Sequence, residues 1–273
     1  MAELVTRDGV RLYVEAHGDG IPLVLSCGYC TTHENFRPQV EPLVRAGARV
    51  VLWDYRGHGR SGVPESDAAY EMPVLVEDLR EVLDWAAPGR RAVVGGLSFG
   101  GLLSLHFALA HPARVLGLVL IDSGPGFKNP DAAARWMEQV ERIARRLEDH
   151  GMESMARDSA AVTSIGRRPE LPAAQAAARA IAAQDPAGLA RFGRRAAGPA
   201  PSVIDDLSRI AAPALVVVGA EDRAYLRAAE VMAAKLPAAT HVVIPDAGHI
   251  VNIEQADAFN AAVASFLEKL PRE

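Results

Sequence analysis

Val93-Val94-Gly95-Gly96-Leu97-Ser98-Phe99-Gly100-Gly101 sets a serine among glycines where an apolar run gives way to a helical one. Apolar residues lead in from Arg91, and Leu102-Leu103-Ser104-Leu105-His106-Phe107-Ala108 leads out with helical character. A strand, a sharp turn and a helix are what a Gly-x-Ser-x-Gly nucleophile elbow requires, because the turn lifts the serine hydroxyl clear of a sheet edge. Gly96 and Gly100 let strand and helix approach with no Cβ between them. A Gly-rich turn without chemistry is the plain alternative. The flanking strand, the helix and the additional glycines favour a nucleophile at Ser98.

An unassisted hydroxyl is a poor nucleophile at neutral pH, so Ser98 needs a base and an acid to orient it. Behind such an elbow the partners follow in the order Ser, Asp or Glu, His. Leu215-Val216-Val217-Val218-Gly219 reads as a buried strand with Ala220-Glu221-Asp222 just past its end. A later strand, His241-Val242-Val243-Ile244-Pro245, leads to Asp246-Ala247-Gly248-His249. Both candidates lie after carboxyl ends of strands, the edge of an open α/β sheet where ligands bind. Asp222 is therefore the expected acid and His249 the expected base. Their rivals are Asp122, Glu221 and His58, each on the same edge by chain logic. His106, on the helix that follows the elbow, reads as a core histidine.

Strand signals at 11–17, 22–26, 49–53, 91–95, 115–121, 214–219 and 241–245 alternate with helical signals at 37–45, 73–85, 98–111, 225–236 and 251–270. That alternation predicts an α/β fold: a mostly parallel central sheet with helices on both faces. The short apolar runs are what strands buried on both faces look like. Between Ser123 and Leu207 the strand signals stop. Asn129-Pro130 offers an N-cap and a first-turn proline, and Trp136, Val140, Ile143 and Leu147 recur at helical spacing until Gly151. Further helical stretches are expected at 173–183 and 186–197. The expected organisation is a core of residues 1–123 and 208–273 with a helical cap inserted at 124–207. Trp136, Met137, Met152, Met155 and Phe192 are candidates to line an apolar substrate pocket under that cap, although helical spacing alone also fits cap core.

On the elbow and its partners, the chain resembles the serine hydrolases of the α/β-hydrolase superfamily along essentially its whole length. Cys27-Gly28-Tyr29 stands where that family usually has His-Gly-x. Asp54-Tyr55-Arg56-Gly57-His58-Gly59-Arg60-Ser61 matches its Asp-x-Arg-Gly-x-Gly-x-Ser segment. The resemblance implies acyl transfer through an ester on Ser98, with His249 moving the proton and Asp222 holding the imidazole. It also implies an oxyanion hole from the backbone N–H groups of Tyr29 and Phe99. Because that hole uses backbone, cysteine in place of histidine at 27 leaves the mechanism intact. The expected activity is hydrolysis of small to medium carboxylic esters. Thioester, lactone, amide or carbon–carbon hydrolysis on the same triad is the alternative within enzymes, and a ligand-binding receptor of the same fold the alternative outside them. A serine at the elbow argues against haloalkane dehalogenases and epoxide hydrolases, whose members use aspartate there.

The chain has 273 residues, 49% hydrophobic and 23% charged, with a formal charge of −5. These values suit one globular enzyme with an insertion, acting on a small molecule. No basic run suggests nucleic acid or a membrane surface, and no apolar run approaches the ~20 residues of a span. The first residues lack a basic segment followed by an apolar one, so a cytoplasmic location is expected. Oligomeric state stays open. Both cysteines lie in Cys27-Gly28-Tyr29-Cys30. A Cys-x-x-Cys after a strand can be a redox pair, but here it occupies the expected oxyanion loop. Two cysteines cannot form a four-thiolate zinc site, so neither metal nor cofactor is expected.

Overall fold

The computed structural model describes residues 2–156 and 164–271. Eight strands form one sheet: β1 (Ala2–Val5), β2 (Arg11–His17), β3 (Ile21–Ser26), β4 (Ala48–Trp53), β5 (Ala92–Leu97), β6 (Val115–Ile121), β7 (Ala214–Gly219) and β8 (Ala239–Ile244). Their spatial order is β1-β2-β4-β3-β5-β6-β7-β8. β1 with β2 and β2 with β4 are antiparallel, and every later pair is parallel. The expected strands are all present, with ends displaced by a residue or two. β1 adds an edge strand that the sequence did not signal, since its four residues are too few to show a period.

The central strands are buried on both faces, and their side chains divide between two cores. Val24, Trp53, Val94, Leu118 and Val216 face one, with Leu79 and Leu103 from the helices. Leu23, Leu25, Leu52, Val93, Val119 and Val217 face the other, with Phe259 and Val263. The helices covering these faces are α1 (Arg37–Arg45), α2 (Met72–Ala86), α3 (Phe99–Ala110) and, after the segment between β6 and β7, α7 (Leu226–Lys235), the short α8 (Val251–Glu254) and α9 (Ala256–Glu268). One continuous helix over 251–270 was expected. It is broken at Gln255 (φ −134°, ψ 56°), where Glu254 turns inward to bind backbone N–H groups of Gly248 and Arg167.

Between β6 and β7 no strand occurs among the described residues. α4 (Pro130–His150) starts where Asn129 accepts hydrogen bonds from the Asp131 and Ala132 N–H groups, and Gly151 ends it at φ 61°. That is the N-cap and glycine stop the sequence suggests. α5 (Pro172–Ala182) and α6 (Pro186–Phe192) follow, the latter capped by Asp185 and extended by a π turn at Gly193–Ala197. No described helix is long and apolar enough to cross a membrane.

Candidate active site

Ser98 lies between β5 and α3 with φ 53° and ψ −111°, a conformation a β-carbon rarely tolerates. The surroundings hold it there. Its N–H donates to Ile121 O (2.8 Å), and its carbonyl accepts the Ser123 hydroxyl (2.6 Å) and the N–H groups of Gly101 and Leu102. A Cβ at Gly96 or Gly100 would lie 2.3 or 2.2 Å from Ser26 O, so only glycine permits the elbow to sit this close to β3. Unlike the residues around it, Ser98 is only part-buried. Its hydroxyl caps no backbone group, which leaves it available for chemistry. α3 begins at Phe99, so the Phe99 N–H has no partner within the helix and sits at the positive end of its dipole.

The loop after β3 carries the second expected donor. Tyr29 N–H has no hydrogen-bond partner among the described residues, whereas its neighbours are firmly tied. Thr31 Oγ1 accepts from Gly28 N–H (2.7 Å), and Tyr55 OH donates to Cys27 O (2.7 Å). Cys30, at φ 64°, donates its N–H to His58 Nε2 (3.2 Å), and its carbonyl accepts Gln184 Nε2 (2.9 Å). Gln184 also accepts the Gly59 N–H (2.9 Å), so the segment between α5 and α6 grips this loop directly. Tyr29 OH reaches the same region, donating to Leu189 O (3.2 Å).

Asp222 and His249 meet as the chain order suggests: His249 Nδ1 lies 2.7 Å from Asp222 Oδ2, and both side chains are largely buried. A proton on Nδ1 leaves Nε2 unprotonated and free to accept another. Ser98 Oγ has no hydrogen bond to His249 in this geometry among the described residues. Its neighbour is the hydroxyl of Tyr225 at 3.5 Å. Tyr225 stacks on the His249 ring, with centroids 4.8 Å apart and planes at 29°, and so stands against both Ser98 and His249. The sequence carries no sign of Tyr225 beyond its place three residues after Asp222.

Asp122 has a different task. Its two oxygens accept the backbone N–H groups of Gly219 (2.8 Å) and Val251 (3.2 Å), tying the end of β6 to β7 and to the helix after His249. Burial pushes its pKa up against the pull of these donors. Glu221 pairs with Arg167. His58 is wholly buried against Tyr55 and Phe192, and its Nε2 is already used as an acceptor. His106 is half-buried rather than in the core, with Nε2 3.1 Å from Pro201 O.

Burial pushes His58 down from 6.5 to about 4, so between these values the unfolded chain binds a proton that the native chain refuses. Stability from this group is present above 6.5 and drains away as pH falls towards 4. The thermal midpoint of wild type should therefore approach that of His58→Gln as pH falls through this window. A gap that stays constant across it would contradict a buried neutral imidazole.

The five candidates between β6 and β7 lie in different surroundings. Phe192 is fully buried, 5.0 Å from Phe99 and 5.2 Å from Tyr55 between ring centroids, and packs among aromatic rings. Met152 and Met155 are buried with Cys30, Leu147, Ile181 and Leu189 in a small core of their own. Trp136 spends its indole N–H on Ala197 O (2.7 Å), joining α4 to the π turn. Met137 is 51% exposed and lines an outer groove of about 530 Å³ with Glu141, Arg142, Arg145 and Arg194. Helical spacing marks an apolar face without saying what covers it, which is why packing residues looked like pocket residues.

Both thiols are free and buried. Burial raises the Cys27 pKa well above its ordinary value and pushes Cys30 up to about 12. Neither is a thiolate at neutral pH, so neither is a nucleophile. Cys27→Ala and Cys30→Ser should each keep at least about a tenth of wild-type turnover, any loss reflecting loop distortion. Reductant should not change the rate. Loss of activity in either folded variant, or activity that follows the thiol–disulfide state, would place the pair in the mechanism. No group of three or more described metal-ligating side chains is arranged to hold an ion.

The chain is 40% identical over 114 residues to a protein of Variovorax paradoxus provisionally named carbamate hydrolase RutD, a match spanning 41% of this chain and 42% of that relative. It is 30% identical over 281 residues to the 2-hydroxy-6-oxononadienedioate/2-hydroxy-6-oxononatrienedioate hydrolase of Cupriavidus pinatubonensis, covering 96% of this chain and 88% of the other. A solved thermophilic esterase from Thermogutta terrifontis superposes with a TM-score of 0.86 and 27% identity, over 98% of both chains. Residues 21–256 match the family described by the alpha/beta hydrolase fold. With its sheet order and its serine elbow between β5 and α3, the chain belongs to the α/β hydrolase family and is a hydrolase.

Proposed function

We propose that this hydrolase cleaves small to medium carboxylic esters through an acyl-enzyme on Ser98. The observation that carries the reading is the Asp222–His249 hydrogen bond on the sheet edge where the strained elbow presents Ser98. In the proposed reaction Ser98 Oγ attacks the ester carbonyl as its proton passes to His249 Nε2. The tetrahedral oxyanion is held by the N–H groups of Phe99 and Tyr29, both without a hydrogen-bond partner among the described residues. His249 then gives the proton to the departing alcohol, and water releases the acid by the same steps in reverse roles. The absent Ser98–His249 bond is compatible with this, because catalytic hydrogen bonds often tighten only with substrate bound.

Residues 124–207 act in this reading as a cap over the catalytic edge. Gln184 on Cys30 and Gly59, Leu189 on Tyr29 OH, and Phe192 on Phe99 support that arrangement, since all join this segment to the oxyanion loop or the elbow. The esterase likeness favours an ester. The C. pinatubonensis relative, whose named substrates carry a 6-oxo group and no ester, favours cleavage of a carbon–carbon bond beside a ketone as the second reading.

Steady-state hydrolysis of p-nitrophenyl esters from acetate to octanoate, beside a 1,3-diketone, tests the choice. Turnover with a chain-length optimum among the esters is the expected result. Turnover of the diketone alone would move the chemistry to carbon–carbon bonds. Saturable binding with no turnover of either would overturn both readings of the substrate.

A further inference from the structure

We infer that Tyr225 is a further catalytic residue, whose phenol hydroxyl donates a hydrogen bond to the leaving-group oxygen of the ester. The inference rests on the acyl-enzyme reading above. Tyr225 is fixed by the same turn that positions the acid: Asp222 O accepts both the Tyr225 N–H (3.0 Å) and the Leu226 N–H (3.1 Å) as α7 begins. Its ring lies over the His249 imidazole and its hydroxyl reaches Ser98 Oγ at 3.5 Å.

The geometry of acyl transfer decides what that hydroxyl can touch. Once Oγ bonds the carbonyl carbon, the three other substituents are the oxyanion, the acyl chain and the leaving group. The oxyanion points to the Phe99 and Tyr29 N–H groups. The leaving oxygen must face His249, because Nε2 delivers its proton there. A hydroxyl that lies against Oγ and is stacked on the imidazole is thus on the leaving-group side. Burial raises the Tyr225 pKa, which keeps the phenol protonated and able to donate.

Proton accounting is complete without ionising the tyrosine. The Oγ–C bond forms as the Oγ proton goes to Nε2. The bond from carbon to the leaving oxygen breaks as Nε2 passes that proton on. Tyr225 keeps its own proton and lends only a hydrogen bond, strengthening as negative charge builds on the leaving oxygen. Such help matters when the leaving group is basic and hardly at all when it departs as a stable anion.

The test is kcat/KM of wild type and Tyr225→Phe on the acetates of p-nitrophenol, phenol and ethanol, which reports the steps through acylation. The nearly isosteric variant should stay within about threefold of wild type on p-nitrophenyl acetate and lose about tenfold or more on ethyl acetate, with phenyl acetate between them. Its rate of Ser98 labelling by a fluorophosphonate should stay near wild type, since fluoride leaves without an oxygen to protonate. An equal loss on all three esters together with slowed labelling would make Tyr225 a positioning residue for His249 and overturn the proposal. So would an unchanged rate on ethyl acetate. Failure of wild type itself to hydrolyse esters or to label at Ser98 is a separate result, and it would remove the acyl-enzyme reading along with this one.

Discussion

Ser98→Ala is expected to lower kcat for ester hydrolysis on the order of 10⁴–10⁶-fold while leaving the fold intact. The size of the loss follows from chemistry that no neighbour can replace. Burial raises the pKa of both cysteine thiols and of the Tyr225 hydroxyl, which holds all three protonated. The structural effect should be small, because the Ser98 hydroxyl caps no helix and alanine keeps the Cβ that the left-handed backbone already accommodates. The thermal midpoint should therefore remain within a few degrees of wild type. Near-normal turnover in this variant would remove Ser98 from the mechanism, however well its backbone fits an elbow.

The second large effect separates two buried aspartates. Asp222→Asn should reduce kcat by about 10³–10⁴-fold, because an amide facing His249 Nδ1 favours the tautomer whose Nε2 already carries a proton. Asp122→Asn should act through structure. One of its two backbone hydrogen bonds, to Gly219 or Val251, would meet an amide NH₂ instead of an oxygen. A lost buried hydrogen bond costs about 1–3 kcal/mol of stability, with roughly a tenfold or smaller fall in kcat from the shifted His249 loop. Parallel measurement of kcat and thermal midpoint distinguishes them: Asp222→Asn should be inactive and stable, Asp122→Asn less stable and more active. The reverse ranking would transfer the acid to the end of β6.

The arrangement of this candidate site is legible in the sequence where backbone and side chain leave a joint signature. Gly96 and Gly100 are needed for close packing on Ser26 O, so the elbow announces itself in residue types. Asp222 follows β7, whose apolar run marks buried sheet, and His249 follows β8, a largely exposed edge strand whose Val-Val-Ile run still marks it as a strand. The choice between Asp122 and Asp222 was not legible from side-chain type, because both end strands on the same edge. They differ only in who binds them: two backbone N–H groups in one case, an imidazole in the other. Tyr225 carries no signature because its role depends on a stacking contact across 24 residues of chain, from 225 to 249. The break at Gln255 is hidden for a related reason. Its flanking sequence is good helix, and the inward turn of Glu254 to Gly248 and Arg167 is a tertiary matter.

The helical segment between β6 and β7 shows the limit of periodicity most clearly. The spacing of Trp136, Val140, Ile143 and Leu147 locates α4 and its apolar face, and Asn129 and Gly151 locate its ends. Spacing could not tell that Phe192 packs on Tyr55 and Phe99, or that Met137 faces an outer groove. Nor could it show that Gln184, a polar residue between two helices, holds both the Cys30 carbonyl and the Gly59 N–H.

The most direct test of the central claim is to find the covalent bond. Wild-type protein treated with a fluorophosphonate, digested and mapped by mass spectrometry should carry one adduct, on the peptide containing Ser98, and ester turnover should fall in proportion to labelling. An adduct on a different residue accompanying the loss of turnover, or full turnover with Ser98 blocked, would contradict the account.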